Sequence, residues 1–203
     1  MRHSPWLPMY GMSMPFNPLV CVKSKIYNHG APESQWLIRE YSFRVLSMVV
    51  DRDAVSYVHN TFLEATAELA TIPDLTASIT FQPITKSFIK NGYSRGGGPN
   101  PQGVDHRTAP YFWIVQNLSW ASDEYDDVLI AFSKRIASEL QENLAAKGVA
   151  GKYLYMNDAG EGQPVFESYP PKNLARLKKI RETYDPLRVY TDLLVGGWKV
   201  LDA

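Results

Sequence analysis

The pattern along the chain predicts one domain that mixes strands and helices. Two observations carry this. Runs with strand periodicity and runs with helix periodicity alternate from Phe43 to Leu194. A chain of 203 residues, 45% of them hydrophobic and 21% charged, is long and apolar enough for one sizeable core. Alternation by itself suggests a parallel α/β sheet, although the glycine fingerprints of nucleotide-binding folds are absent.

Taken in order, residues 1–40 lack periodicity and read as an irregular lead, with prolines at 5, 8, 15 and 18. Trp6, Trp36 and the four methionines up to position 14 make this lead less polar than ordinary disorder, so it is a candidate cover for an apolar surface. Phe43 to Val50 is apolar and rich in valine, which predicts a strand. Asp51 and Asp53 then open a helix that puts Val55, Val58, Phe62, Ala65, Thr66 and Leu69 on one face. Thr76 to Gln82 alternates strictly: Ala77, Ile79 and Phe81 point one way, Thr76, Ser78, Thr80 and Gln82 the other. Pro83 to Tyr93 reads as a short helix, and residues 94–110 as a long Gly/Pro loop of a length often tied to function.

Tyr111 to Leu118 is apolar at both parities, which predicts a strand covered on both faces. Ser122 is placed to cap a helix whose first turn holds Asp123, Glu124, Asp126 and Asp127. That helix should bury Tyr125, Val128, Leu129, Phe132, Ile136, Leu140 and Leu144, and stop at Lys147-Gly148. Lys152 to Asn157 reads as a strand. Pro171 to Tyr184 reads as an amphipathic helix with Leu174, Leu177, Ile180 and Tyr184, ended by Asp185-Pro186. Val189 to Leu194 reads as a last strand.

Charge and cysteine content exclude several classes. Lys plus Arg and Asp plus Glu both count 21, so the chain has no electrostatic drive toward nucleic acid. The single cysteine, Cys21, has no internal disulfide partner, and no Cys/His spacing predicts a metal site. No stretch approaches the ~20 apolar residues of a membrane span. The early prolines break any secretory apolar core, so a cytoplasmic location is expected.

Candidate chemistry is sparse. No Gly-x-Ser-x-Gly elbow is present. Arg95-Gly96-Gly97-Gly98 matches neither the phosphate loop nor the dinucleotide fingerprint, and serves equally as a plain connection. His106 beside Asp105 offers a proton-transfer group in that loop. Gln82 on the polar face of one strand, and Tyr153, Tyr155 and Asn157 at alternate positions further on, either face solvent or line a pocket. Asn117-Leu118-Ser119 has the glycosylation pattern, but it ends a strand expected to be buried.

The last third carries a more specific pattern: Tyr155 with Asn157, then Phe166 and Tyr169, then Asn173, Arg176 and Leu177, then Asp185-Pro186, then Gly196-Gly197-Trp198-Lys199. In this order and spacing it resembles the C-terminal signature of the berberine-bridge-like FAD-linked oxidoreductases. Upstream, Gln82-Pro83 and Arg95-Gly96-Gly97 resemble the fungal members of that family. The resemblance spans about residues 43–200 and finds no match in 1–40. It implies an α+β fold, a largely antiparallel sheet backed by helices, in place of the parallel sheet that alternation suggests. It also implies that residues 41–203 form the substrate domain of a two-domain flavoenzyme whose flavin-binding domain is absent here. Asn157 and Tyr155 become the positions nearest the flavin. The chain departs from the family at Asp158, where Tyr is frequent, and at Gly98-Pro99, where Asn is common.

Three functions follow as expectations. One is the substrate half of an FAD-linked oxidoreductase in secondary metabolism, acting on a small hydrophobic organic substrate. It would pair with a separate flavin-domain chain or associate with itself through the bared sheet face. The second is a flavin-free isomerase or cyclase that reuses the pocket, with Tyr153, Tyr155 and Gln82 as candidates and His106 behind them. The third is an inactive remnant or a binding module.

Overall fold

The computed structural model describes residues 24–25, 38–96, 98–194 and 196–200. Most of the lead, with Trp6, Cys21 and Trp36, lies outside the described residues. The chain order is β1 (Ser24–Lys25), β2 (Ile38–Val49), α1 (Arg52–Thr66), β3 (Thr76–Ile84), α2 (Lys86–Gly96), β4 (Tyr111–Trp120), α3 (Asp126–Ala146) and α4 (Pro171–Tyr184). The strands form one antiparallel sheet in the order β1-β2-β4-β3. The fold is therefore α+β, and the parallel sheet suggested by alternation does not form. Helix α1 carries the chain from β2 to β3, which run in the same direction, and β4 lies between them antiparallel to both.

Register defines two faces. Leu46, Met48, Ile114, Leu118 and Trp120 point to one side and pack with Val58 and Phe62 of α1 and Leu129, Phe132, Ile136, Leu140 and Leu144 of α3. Ala77, Ile79 and Phe81 join this core, as their alternation predicts. Asp51 caps α1 by accepting from the Ala54 amide at 2.8 Å. Ser122 makes no capping bond; a single 3₁₀ turn over Asp123–Tyr125 intervenes before α3. Val128, expected inside, is half exposed, and Ser133 and Ala137 are buried instead. That turn resets the helical phase, so α3 presents the stripe running through Leu129, Phe132, Ile136 and Leu140. Gly148 adopts φ 71°, the left-handed turn that ends α3.

Two expected strands are absent. Lys152 to Asn157 is extended only in part and then turns through Met156–Asp158; the bridge to the sheet falls before it, at Ala150 opposite Met48. Val189–Leu193 coils into a single wide π-type turn, held by Asp185, which accepts from the Tyr190 and Thr191 amides and the Thr191 hydroxyl. Period-two patterning in six residues does not make a strand without a free edge to pair with. On the outer side of β2 that edge is already occupied. Val149 and Gly151 bond Val49 and Ser47, and the Gln163 side-chain amide both donates to and accepts from the Val45 backbone, at 2.8 and 3.0 Å.

Helix α4 buries no residue. Leu174 and Leu177 lean on Val165, Phe166 and Tyr169, whereas Ile180, Tyr184, Leu187, Val189, Tyr190, Leu193 and Leu194 are exposed. No helix among the described residues is long and apolar enough to cross a membrane.

Candidate functional site

Helices α1 and α3 cover one sheet face; on the other, Ile89 of α2 packs with Ile84, Tyr111 and Trp113, and a loop lies across the rest. Gly151 bonds the edge of β2 at Ser47, 2.7 Å. The chain then passes over β4, where the Tyr155 ring stacks on Trp113 (centroids 4.8 Å, planes 22° apart) and Tyr153 meets Trp113 edge-on at 5.1 Å. Next it turns at Met156–Asp158, and Asp158 Oδ2 accepts from Gln82 Nε2 of β3 at 3.1 Å. Finally it returns to β2, where Gly160 lies against the Phe43 carbonyl. Trp113 and Gln82 are register partners on adjacent strands, which is why one loop reaches both. Trp113 sits on the sheet, so Tyr155 is the outer ring of the stack.

Four of the residues singled out by sequence therefore come together here: Gln82, Tyr153, Tyr155 and Asn157, the last donating from Nδ2 to the Tyr155 hydroxyl at 2.8 Å. His106 belongs elsewhere. Its ring meets Tyr93 edge-on at 5.4 Å, and its Nδ1 is buried 3.6 Å from Asp105, too far for a hydrogen bond. Asp105 instead grips Arg107, which holds its carboxyl down at about 2. Tyr93 separates His106 from Trp113, both rings packing on Ile84, Ile89 and Ala109, and the loop that bears His106 docks on the start of α4: Asn173 donates to the Pro101 carbonyl at 2.9 Å, and Gly103 abuts Pro170. Asn117 of the glycosylation pattern is held in mid-strand, paired with Phe43 on one side and Ser78 on the other.

Two residues of the site escaped sequence reasoning. Trp113 was absorbed into a strand apolar at both parities. The signal available was its size at the parity of Asn117 and Ser119, the polar positions of that strand. Asp158 stood out only as a departure from the resembling family.

Burial pushes the Tyr153 hydroxyl well above the usual tyrosine range, reinforced by the neighbouring Tyr169, and burial raises Tyr169 as well. Tyr153 therefore holds its proton firmly while its ring packs against Trp113 and Tyr169. Folded-state values raised above the unfolded value of 10.0 mean that this pair supports folding fully below pH 10 and progressively less as pH rises above it. In an alkaline absorbance titration both hydroxyls should stay un-ionised until the chain unfolds. Tyr153→Phe should remove one of the lagging transitions. Ionisation of every tyrosine together while the chain is folded would contradict this.

An open groove of about 1730 Å³ runs beside this loop, lined by the outer edge of β2, by α3 and by residues 148–171. It takes in Trp113 and Tyr153, but Gln82, Tyr155 and Asn157 are outside its lining, on the sheet face itself.

No protein-family model matches the chain. Curated relatives do. An FAD-dependent monooxygenase of Fusarium proliferatum is 35% identical over 122 residues, 59% of this chain and 23% of that protein. An FAD-dependent monooxygenase of Penicillium roqueforti is 26% identical over 175 residues, 81% of this chain and 33% of the relative. The bifunctional solanapyrone synthase of Alternaria solani is 28% identical over 120 residues, 59% of this chain and 22% of the synthase. The chain is thus related in sequence to fungal FAD-dependent monooxygenases, at modest identity, and these three matches span a third or less of the relatives' length.

The face fits one end of that cofactor. Tyr155 over Trp113 gives a flat apolar surface, the amides of Gln82 and Asn157 stand at its rim, and Asn117 Oδ1 is buried on the same face without a hydrogen-bond partner. A planar ring with a polar edge suits such a surface. The diphosphate does not fit there. From Tyr41 onward the strand residues of this face include no lysine or arginine.

Proposed function

We propose that residues 41–203 form the substrate-side unit of an FAD-linked oxidoreductase of the berberine-bridge-like type, preceded by the lead of residues 1–40. The substrate is a small, largely apolar natural-product intermediate. The observation that carries this reading is the Trp113–Tyr155 stack on the sheet face opposite α1 and α3, with two amide side chains at its rim. Sequence similarity to FAD-dependent monooxygenases supports it.

Bound FAD would supply the redox chemistry, which no side chain here can supply. The chain's own residues do the rest. Tyr155 offers its outer ring to the planar part of the flavin and substrate. Asn157 donates to the Tyr155 hydroxyl, which leaves that hydroxyl's own proton free for a ligand oxygen. Gln82, anchored through Nε2 on Asp158, keeps its carbonyl in a fixed direction. The apolar surface from Ile180 to Leu194 would pack against the part that carries the flavin, since exposed patches of this kind mark interaction surfaces.

Titration with lumiflavin, the flavin ring without its phosphate tail, tests this. Flavin fluorescence should be quenched saturably by the chain, and Tyr155→Ala should weaken binding at least about tenfold, the scale of one lost aromatic stack, with an unchanged circular dichroism spectrum. Absent quenching, or equal quenching by the variant, would sink the reading. The Tyr155–Asn157 and Gln82–Asp158 pairs also favour a second reading, a flavin-free isomerase or cyclase. That reading gains if lumiflavin fails to bind.

A further inference from the structure

We propose that Asp158 selects the substrate: its carboxylate accepts a hydrogen bond from a neutral hydroxyl on an aromatic molecule lying against the outer ring of Tyr155. This rests on the reading of this sheet face as the substrate side.

Position comes first. The Met156–Asp158 turn, closed by the Asp158 amide donating to the Tyr155 carbonyl at 3.2 Å, fixes the carboxylate one turn from the stacking ring. Gln82 Nε2 holds Oδ2 from β3 at 3.1 Å, and Gln82 is the register neighbour of Trp113 beneath Tyr155. The carboxylate is therefore tethered at the rim of the aromatic surface.

Charge decides what it takes. The tether is a neutral amide, and the strand residues of this face from Tyr41 onward include no cation. A carboxylate so placed accepts strongly from a hydroxyl, because hydrogen bonds to charged groups are the strong ones. It gains nothing from an ether and repels a second carboxylate. Hydroxyl-bearing aromatic molecules are thus preferred over their methylated and carboxylated counterparts.

Equilibrium dialysis of the full chain at neutral pH against 2-naphthol, 2-methoxynaphthalene and 2-naphthoate tests this. The expected order has 2-naphthol about tenfold tighter than 2-methoxynaphthalene, the scale of a hydrogen bond to a charged group, and 2-naphthoate weakest. Asp158→Asn should close the gap between naphthol and ether to within about threefold and improve naphthoate binding. Asp158→Ser, matched for thermal unfolding, should do the same. Tyr155→Ala should weaken all three alike. Failure of the wild-type chain to discriminate, retention of the order by both Asp158 variants, or no binding of any probe would overturn the proposal. The order standing while lumiflavin fails to bind would remove the flavin reading alone; lumiflavin binding without the order would remove the role of Asp158 alone.

Discussion

Gly160→Ala is expected to destabilise the chain by about 3 kcal/mol, the upper range for forcing an extra methyl group into a filled site. A methyl group at Gly160 would stand 2.0 Å from the Phe43 carbonyl oxygen and 3.2 Å from its carbon. Both are backbone atoms of β2, a strand paired along ten residues with β4, so the strand cannot yield. The loop must move instead. Gly160 also donates to Gln163 Oε1 at 2.9 Å, and that oxygen accepts from the Val45 amide. Displacing Gly160 therefore strips the cap from the edge of β2 and releases the return arm of the loop that carries Tyr155 and Asp158. Urea unfolding should show the loss, and lumiflavin affinity should fall with it. A change below about 0.5 kcal/mol, the range of an unremarkable surface substitution, would show that the loop does not press on β2.

Trp120→Ala should cost about 4 kcal/mol, within the range for truncating a buried tryptophan. Trp120 is fully buried at the end of β4 among the side chains of α1 and α3. Its Nε1 donates to Asp126 Oδ1 at 2.7 Å, in the first turn of α3. This bond does for the start of α3 what Ser122 was expected to do: it fixes the helix end to the sheet. Trp120→Phe keeps most of the apolar contact and loses the bond, so about 1.5 kcal/mol should go. Thermal and urea unfolding of the pair separates packing from anchoring. Equal losses for the two variants would assign the whole effect to the hydrogen bond.

Most of the fold was legible because local patterning and burial agree along it. The strict alternation of Thr76 to Gln82 placed Ala77, Ile79 and Phe81 in the core, and Asp51 capped the helix its position announced. Strand direction was not legible from alternation, since the order strand, helix, strand fits parallel and antiparallel sheets alike; the family resemblance supplied the antiparallel sheet. Lys152 to Asn157 misled because its tyrosines alternate for a different reason. They reach down onto Trp113 from a loop, and the outer edge of β2 beside that loop is already bonded by Val149, Gly151 and Gln163. The site was half legible. Gln82 and Tyr155 announced themselves as polar groups at strand parity, but Trp113 and Asp158 join them only through contacts between distant parts of the chain, such as Gln82 with Asp158, 76 positions apart. The place of His106 was not legible either: a histidine beside an acid is a candidate anywhere in a sequence, and only the fold shows its ring against Tyr93 and its loop docked on Pro170 and Asn173.

The central claim is that the sheet face under residues 151–163 receives a planar ligand ring. The most direct measurement is an NMR titration of the isotope-labelled chain with lumiflavin, following backbone amides and tryptophan indole groups. The account predicts saturable shifts confined to Gln82, Trp113, Tyr155, Asn157 and Asp158 and their strand neighbours, with the Trp120 indole unmoved on the helix-covered side. Shifts centred on the groove beside α3 or on residues 180–194, or none up to the solubility limit of lumiflavin, would contradict it.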